Sequence, residues 1–277
     1  ALSELKKRRL GRTELMVTEL GLGAMDTPQA TEGAETIHLA LEMGINFIDT
    51  ARIYEGSESL LGEVIRARGG KSFYVASKTI NRTVDGSQYD VDRSLRLLGV
   101  DRIDLYQVHF PDASTPIEET LRALDDLVHS GKVRYIGCSN YTAWQMVEAF
   151  WTAKSQNLYN YCCVQPEYSL GIRDVEKELV PAAERYGMSL IPFFPLASGF
   201  LTGKYSQGTD PAEGTRFAKT PMFKDRYMSD KNWDVLGKVG SFAGERGHST
   251  AELAFAWLLA NPTVPSVIAG ATKPEEG

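Results

Sequence analysis

Short apolar, β-branched or aromatic runs recur along the chain, separated by amphipathic stretches. The runs are VTELGLG (17–23), INFID (45–49), SFYVAS (72–77), IDLYQV (103–108), VRYIGC (133–138), CCVQ (162–165), MSLIPFF (188–194) and VPSVIAG (264–270). Most are continuously apolar rather than alternating, which suits strands buried on both faces of a parallel sheet. Between them the apolar positions fall at helical period. In IEETLRALDDLVHSG, Ile117, Leu121, Leu124, Leu127 and Val128 form one stripe. Ser114, Thr115 and Pro116 with Glu118 and Glu119 mark its start, and Gly131 with Lys132 marks its end. Segments 33–44 and 174–187 also read as helices that close on a glycine.

From 45 to 188, the runs start 26 to 31 residues apart. A strand, a crossover helix and two loops need roughly 30. The last step, from 188 to 264, is 76 residues. That unit therefore carries an insertion of roughly 45 residues by the same measure. Its first half, SQGTDPAEGTRFAKTPMFKD, is rich in Gly, Pro, Thr and Asp and is expected to be a long loop. Its second half holds helical patterns near 229–246 and 249–260. Eight strands alternating with helices predict an α/β fold, a (β/α)8 TIM barrel with a long insertion between strands 7 and 8. A doubly wound open sheet is the competing arrangement. Gly11, Arg12 and Thr13 between two short runs predict an N-terminal β-hairpin. No linker or low-complexity segment divides the chain, so 1–277 is expected to be one domain.

Composition narrows the function class. Hydrophobic residues make up 43% and charged residues 24%, ordinary globular usage that argues against disorder. The formal net charge of −6 disfavours a nucleic-acid partner. Cys138, Cys162 and Cys163 form no disulfide framework, so a reducing, cytoplasmic setting is expected. No apolar stretch is long enough to span a bilayer, and the N-terminus lacks a signal-type apolar region. His38, His109, His129 and His248 are scattered, with no HExxH, so no metal is expected. Neither a GxSxG elbow nor a GxxxxGK[ST] loop occurs.

Active sites of such barrels lie at the C-terminal strand ends. Those ends carry chemistry here. The second run ends at Asp49, followed by Thr50, Ala51 and Tyr54. The third ends at Lys78, the fourth at His109, the fifth at Ser139 and Asn140, the sixth at Gln165 and the seventh at Phe193. Taken singly, Asp49 is a loop cap, Tyr54 a packing residue, Lys78 an emerging charge and His109 a core histidine. Together they point into one barrel mouth. Tyrosine is a poor acid at neutral pH. A neighbouring ammonium stabilises its anion, a carboxylate holds the ammonium, and a histidine orients a carbonyl. Such a set protonates the oxyanion formed when hydride attacks a carbonyl.

The runs GINFIDTARIYEGSESLLGEVI, YVASK, IDLYQVH, VRYIGCSN, VQPEYSL, PFFPLASGFLTGKY and SVIAGATKPEE resemble, in order, the motifs of the aldo-keto reductases. The resemblance covers nearly the whole chain. It is to the NADP(H)-dependent branch that includes bacterial members and potassium-channel β subunits. It implies that Tyr54 is the general acid, Lys78 lowers its pKa, Asp49 pairs with Lys78 and His109 orients the substrate carbonyl. It also implies an extended NADP(H) bound without a Rossmann domain. Gly21-Leu22-Gly23 indeed lacks the rest of a dinucleotide fingerprint. By the same resemblance Gly23, Ala24, Met25 and Asp49 border the cofactor, and Ser139, Asn140 and Gln165 hold the carboxamide. Phe193 faces the nicotinamide where the family often has Tyr. Pro195, Leu196, Ala197, Gly199, Leu201 and Lys204 wrap the pyrophosphate, with Arg216 as a further cation. Gly270, Thr272, Lys273 and Glu276 fall in the loop expected to take the 2′-phosphate, which favours NADPH over NADH. Asp26, Tyr54, His109, Phe110 and Tyr141 are the expected substrate contacts.

The expected function is therefore NADPH-dependent reduction of aldehydes or ketones to alcohols, with a small-molecule carbonyl as partner. The alternative is a cofactor-binding regulatory subunit like the channel β subunits. A third option is a barrel enzyme with unrelated chemistry. The segment 205–228 is expected to act as a lid. The family pattern continues past its eighth strand with a helix, which is expected to follow Gly277.

Overall fold

The computed structural model describes residues 4–29 and 31–271. It opens with an antiparallel hairpin of β1 (Lys7–Arg9) and β2 (Met16–Thr18), in which Lys7 pairs with Thr18. Gly11 turns it at a φ of 47°. A Cβ there would stand 2.2 Å from Cys162 O, so only glycine lets the turn press on the barrel floor. The Gly11 N–H also donates to Ser189 Oγ at 2.6 Å.

Eight parallel strands follow: β3 (Leu20–Gly23), β4 (Phe47–Asp49), β5 (Tyr74–Thr79), β6 (Ile103–Val108), β7 (Val133–Ser139), β8 (Tyr161–Gln165), β9 (Ser189–Leu190) and β10 (Val267–Gly270). Their order in space is β10-β3-β4-β5-β6-β7-β8-β9. Leu190 N–H donates to Thr263 O at 2.9 Å and Ile268 N–H to Pro192 O at 3.2 Å, drawing the two outer strands together. This order is that of a (β/α)8 barrel, not of a doubly wound sheet. The crossovers are α1 (Gly33–Glu42), α2 (Ser57–Ala67), α3 (Val84–Leu98), α4 (Ile117–His129), α5 (Ala143–Gln156) and α6 (Leu179–Tyr186).

Two apolar layers position the site. Leu22, Ile48, Val75, Tyr106 and Ile136 pack between barrel and helices. Phe47, Ala76, Leu105, Cys163 and Ile268 fill the barrel interior, with Leu10, Leu15 and Val17 of the hairpin region beneath them. The interior turns polar above that layer because strand side chains alternate. Phe47 is followed on its face by Asp49, Ala76 by Lys78, and Leu105 by Gln107 and then His109.

The expected helix over 174–187 is split. A 3-10 turn covers Asp174–Glu176, and α6 starts at Leu179. Pro181 has no N–H to donate backwards, so it fits only the first turn of a helix, and the helix begins just before it. The segment expected to be a long loop instead holds α7 (Arg216–Lys219) and α8 (Pro221–Tyr227). Phe217 and Tyr227 anchor these short helices in a separate cluster with Ala197, Phe200, Leu201, Tyr205 and Ala254. The two later patterns form α9 (Asp230–Gly244) and α10 (Thr250–Leu259). Among the described residues no helix is long and apolar enough to cross a membrane. The three cysteines are free and buried.

Candidate active site

Asp49 and Lys78 lie inside the barrel at the ends of β4 and β5, 3% and 0% exposed. Lys78 Nζ donates to Asp49 Oδ2 at 2.5 Å and to Thr50 O at 3.0 Å. A buried lysine with no partner would lose its proton. Burial is the largest single influence and pulls the Lys78 pKa down, but Asp49 and Tyr54 together pull it up, and the net value is above the ordinary one. The other Asp49 oxygen accepts from Gln107 Nε2 at 3.2 Å and Gln165 Nε2 at 3.1 Å. Gln107 was not among the expected site residues. The signal was its place two residues before His109 in IDLYQVH, on the same strand face.

Tyr54 follows β4 and sits over this pair. Lys78 Nζ lies 5.0 Å from its ring centre. The His109 ring meets it edge-on at 5.6 Å. The resemblance implied a lowered Tyr54 pKa. Burial is the larger influence and raises it; Lys78 acts in the expected downward direction, Asp49 upward, and the net is raised. Tyr54 is thus a protonated phenol at neutral pH. His109 is held neutral, its pKa lowered to about 3 by burial and by the charges of Lys78 and Arg82. Its Nδ1 is buried without a partner among the described residues. Phe110 stacks flat on His109 at 4.4 Å and, with Ile53, forms an exposed apolar rim.

Ser139, Asn140 and Gln165 are also brought together. Ser139 Oγ donates to Gln165 O at 2.9 Å, and Asn140 Nδ2 to His109 O at 3.0 Å. Asn140 takes a left-handed φ of 59°, which asparagine tolerates. Tyr141 departs from expectation. It is 5% exposed, and its hydroxyl lies 3.2 Å from that of Tyr161, in the layer behind the barrel wall. The side chain after the strand end turned outward, so Tyr141 is not a mouth residue.

Gly23 pairs with Asp49 on one side and Gly270 on the other. A Cβ at Gly23 would meet Ile268 Cγ2 at 2.9 Å. Ala24 N–H continues the ladder to Asp49 O at 2.9 Å, and Met25 and Asp26 are half-buried in the turn beyond. Phe193 pairs with Glu167 and meets Phe194 edge-on at 5.0 Å. After the buried Pro195 and half-buried Leu196, the chain is left-handed at Ala197, Ser198 and Gly199. Ser198 Oγ is buried with no partner among the described residues. Ala197 and Leu201 turn their side chains into the insertion's own cluster, and their N–H groups donate to Phe194 O at 2.9 Å and Leu196 O at 3.0 Å. Lys204 folds over Gly199, its Nζ 3.2 Å from where a Cβ would be. Arg216, expected as a cofactor cation, pairs instead with Asp26 across the mouth and lies over the Phe194 ring at 5.2 Å. Glu167 takes both Arg226 and the Tyr227 hydroxyl. The insertion is thus tied to the mouth at two places. Thr272, Lys273 and Glu276 lie outside the described residues. Among the described residues no group of His, Cys, Asp or Glu side chains is placed to hold a metal ion.

Residues 19–276 match the model of the aldo/keto reductase family. The chain is 34% identical over 287 residues to the uncharacterized oxidoreductase YrpG of Bacillus subtilis, covering 94% of this chain and 85% of that one. It is 42% identical over 183 residues to a rice (Oryza sativa subsp. japonica) protein described as a probable voltage-gated potassium channel β subunit. That match covers 65% of this chain but only 56% of the rice protein. The structure of the glycerol dehydrogenase of Gluconobacter oxydans superposes with a TM-score of 0.84 at 28% identity, over 98% of this chain and 88% of that one. With its barrel order, its motifs and this match along nearly its whole length, the chain belongs to the aldo/keto reductase family, oxidoreductases that generally use nicotinamide cofactors.

Proposed function

We propose that this chain is an NADP(H)-dependent carbonyl reductase that converts aldehydes or ketones to alcohols. The observation that carries the reading is the wholly buried Lys78–Asp49 pair beneath Tyr54 and beside a neutral His109. Structural ion pairs are common, but this one sits where a barrel enzyme works and next to a titratable phenol.

The residues fit a bound dinucleotide. Ser198 Oγ and His109 Nδ1 are buried and make no geometric hydrogen bond among the described residues. Lys204 offers a cation beside Gly199. In this reading Ser139, Asn140 and Gln165 hold the carboxamide, Phe193 lies against the ring, and the segment from Pro195 to Lys204 takes the pyrophosphate. Gly270, Thr272, Lys273 and Glu276 take the adenosine end, whose hydroxyl and cation favour NADPH over NADH. A bound reduced nicotinamide supplies the hydride. His109, neutral at working pH, donates a hydrogen bond that fixes the carbonyl oxygen. Tyr54 gives its proton to that oxygen. Lys78 stabilises the phenolate left behind, and Asp49 keeps Lys78 charged and in place. The Ile53 and Phe110 rim suits a substrate with an apolar body. Residues 1–277 act as one unit in this account.

The 42% identity to the rice protein supports a second reading, cofactor-dependent regulation of a partner. One assay separates the two. A panel of aldehydes and ketones is followed by loss of reduced-nicotinamide absorbance, with NADPH and with NADH. Turnover with a preference for NADPH is expected. Saturable NADPH binding with no turnover across the panel would favour regulation, and binding of neither cofactor would remove both readings.

A further inference from the structure

The outer faces of the strands that carry the cluster are joined by one carboxylate. Asp90 lies on α3, behind the barrel wall, and is 0% exposed. Its Oδ2 accepts from Thr79 Oγ1 at 2.7 Å and from Asn81 Nδ2 at 2.7 Å. Its Oδ1 lies 2.6 Å from Arg52 Nε, an ion pair in contact although not aligned as a linear hydrogen bond. Each partner is tied to the candidate site through the backbone. Arg52 stands two residues before Tyr54, and its N–H donates to Lys78 O at 3.1 Å. Thr79 directly follows Lys78, and its carbonyl accepts the His109 N–H at 2.9 Å.

We propose that Asp90 is a positioning residue that sets the spacing of Tyr54, Lys78 and His109 from behind the sheet. The inference rests on the proposed roles of those three residues. Lys78 and Thr79 point to opposite faces of β5, so a pull on Thr79 is transmitted to Lys78 within one residue. Asp90 pulls the Tyr54 loop and the end of β5 toward the same point. Replacing the charge by a neutral amide takes from the half-buried Arg52 guanidinium the carboxylate it is paired with. The loop is then free to shift relative to Lys78. A displacement near 1 Å costs catalysis about a hundredfold in well-organised sites.

The experiment compares wild type, Asp90→Asn and the milder Thr79→Val. Tyrosine labelled with 13C at Cζ reports the Tyr54 titration by NMR, with the resonance identified by its loss in Tyr54→Phe. Turnover is read with NADPH and 4-nitrobenzaldehyde as probe, and NADPH affinity by tryptophan fluorescence. Asp90→Asn is expected to move the Tyr54 titration to higher pH, because Lys78 stands farther away. It should also lower kcat by about tenfold or more, with KM and NADPH affinity little changed. Thr79→Val should move both in the same direction by less, and it carries the test if Asp90→Asn does not fold. Loss of thermal stability alone, with the Tyr54 titration and kcat as in wild type, would reduce Asp90 to a structural residue and overturn the proposal. Full turnover in Tyr54→Phe would instead overturn the roles given to the site, and that outcome is read independently of Asp90.

Discussion

Lys78 keeps its charge in the barrel interior because Asp49 meets it at 2.5 Å, and each residue makes the other tolerable there. Removing one partner strands a buried charge. Asp49→Ala should therefore cost about 3–5 kcal/mol in urea unfolding. The double change Asp49→Leu with Lys78→Met should regain much of that stability while abolishing turnover, since an apolar pair has no desolvation cost. His109 gives a second test. The unfolded chain protonates it near its ordinary 6.5, whereas the folded protein keeps it neutral to about 3. The unfolded state therefore binds more protons across that window. The stability this provides is complete above pH 6.5 and is lost as pH falls from there toward 3. Melting temperature should drop over that interval in wild type and drop less in His109→Gln. An equal slope in both proteins would mean that other groups govern acid unfolding.

At the scale of elements, the long periodic pieces were readable. The eight apolar runs became the eight strands of the barrel, and the stripe from Ile117 to Val128 became α4. What escaped the sequence has physical reasons. α7 and α8 have 4 and 7 residues, too few for a helical period to show. They hold because Phe217 stacks between Tyr205 and Tyr227, contacts made by tertiary packing. Tyr141 lies two residues past the end of β7, where alternation no longer applies. Gln107 falls in the alternation of β6 on the face of Leu105 and His109, but the apolar residues of IDLYQV around it mask the signal. Asp90 could not be found, since only the fold brings α3 behind Thr79 and Arg52. The insertion bears its own prediction. The Arg216–Asp26 pair and the Glu167 contacts tie 205–228 to the mouth, and the proposed role of that segment is a lid over the proposed cofactor segment. Saturating NADPH should slow tryptic cleavage within 205–228, and Arg216→Ala should speed it. Equal cleavage with and without NADPH would remove the lid role.

At the scale of the molecule, floor and mouth are built by different parts of the barrel. The hairpin region closes one end with Leu10, Leu15 and Val17, all fully buried, while the polar cluster occupies the other. Leu15→Ala should thus cost about 2–5 kcal/mol in stability. It should leave NADPH affinity and KM unchanged, as chemical denaturation and steady-state kinetics on the same sample can check. At the mouth, the proposed chemistry is that a phenol above a buried ammonium gives its proton to the carbonyl oxygen as hydride arrives at the carbon. The most direct measurement is turnover of a reducible aldehyde by Tyr54→Phe, set beside its NADPH affinity from tryptophan fluorescence. Turnover is expected to be lost, with NADPH binding close to that of wild type. Turnover retained in that variant would contradict the proposed chemistry.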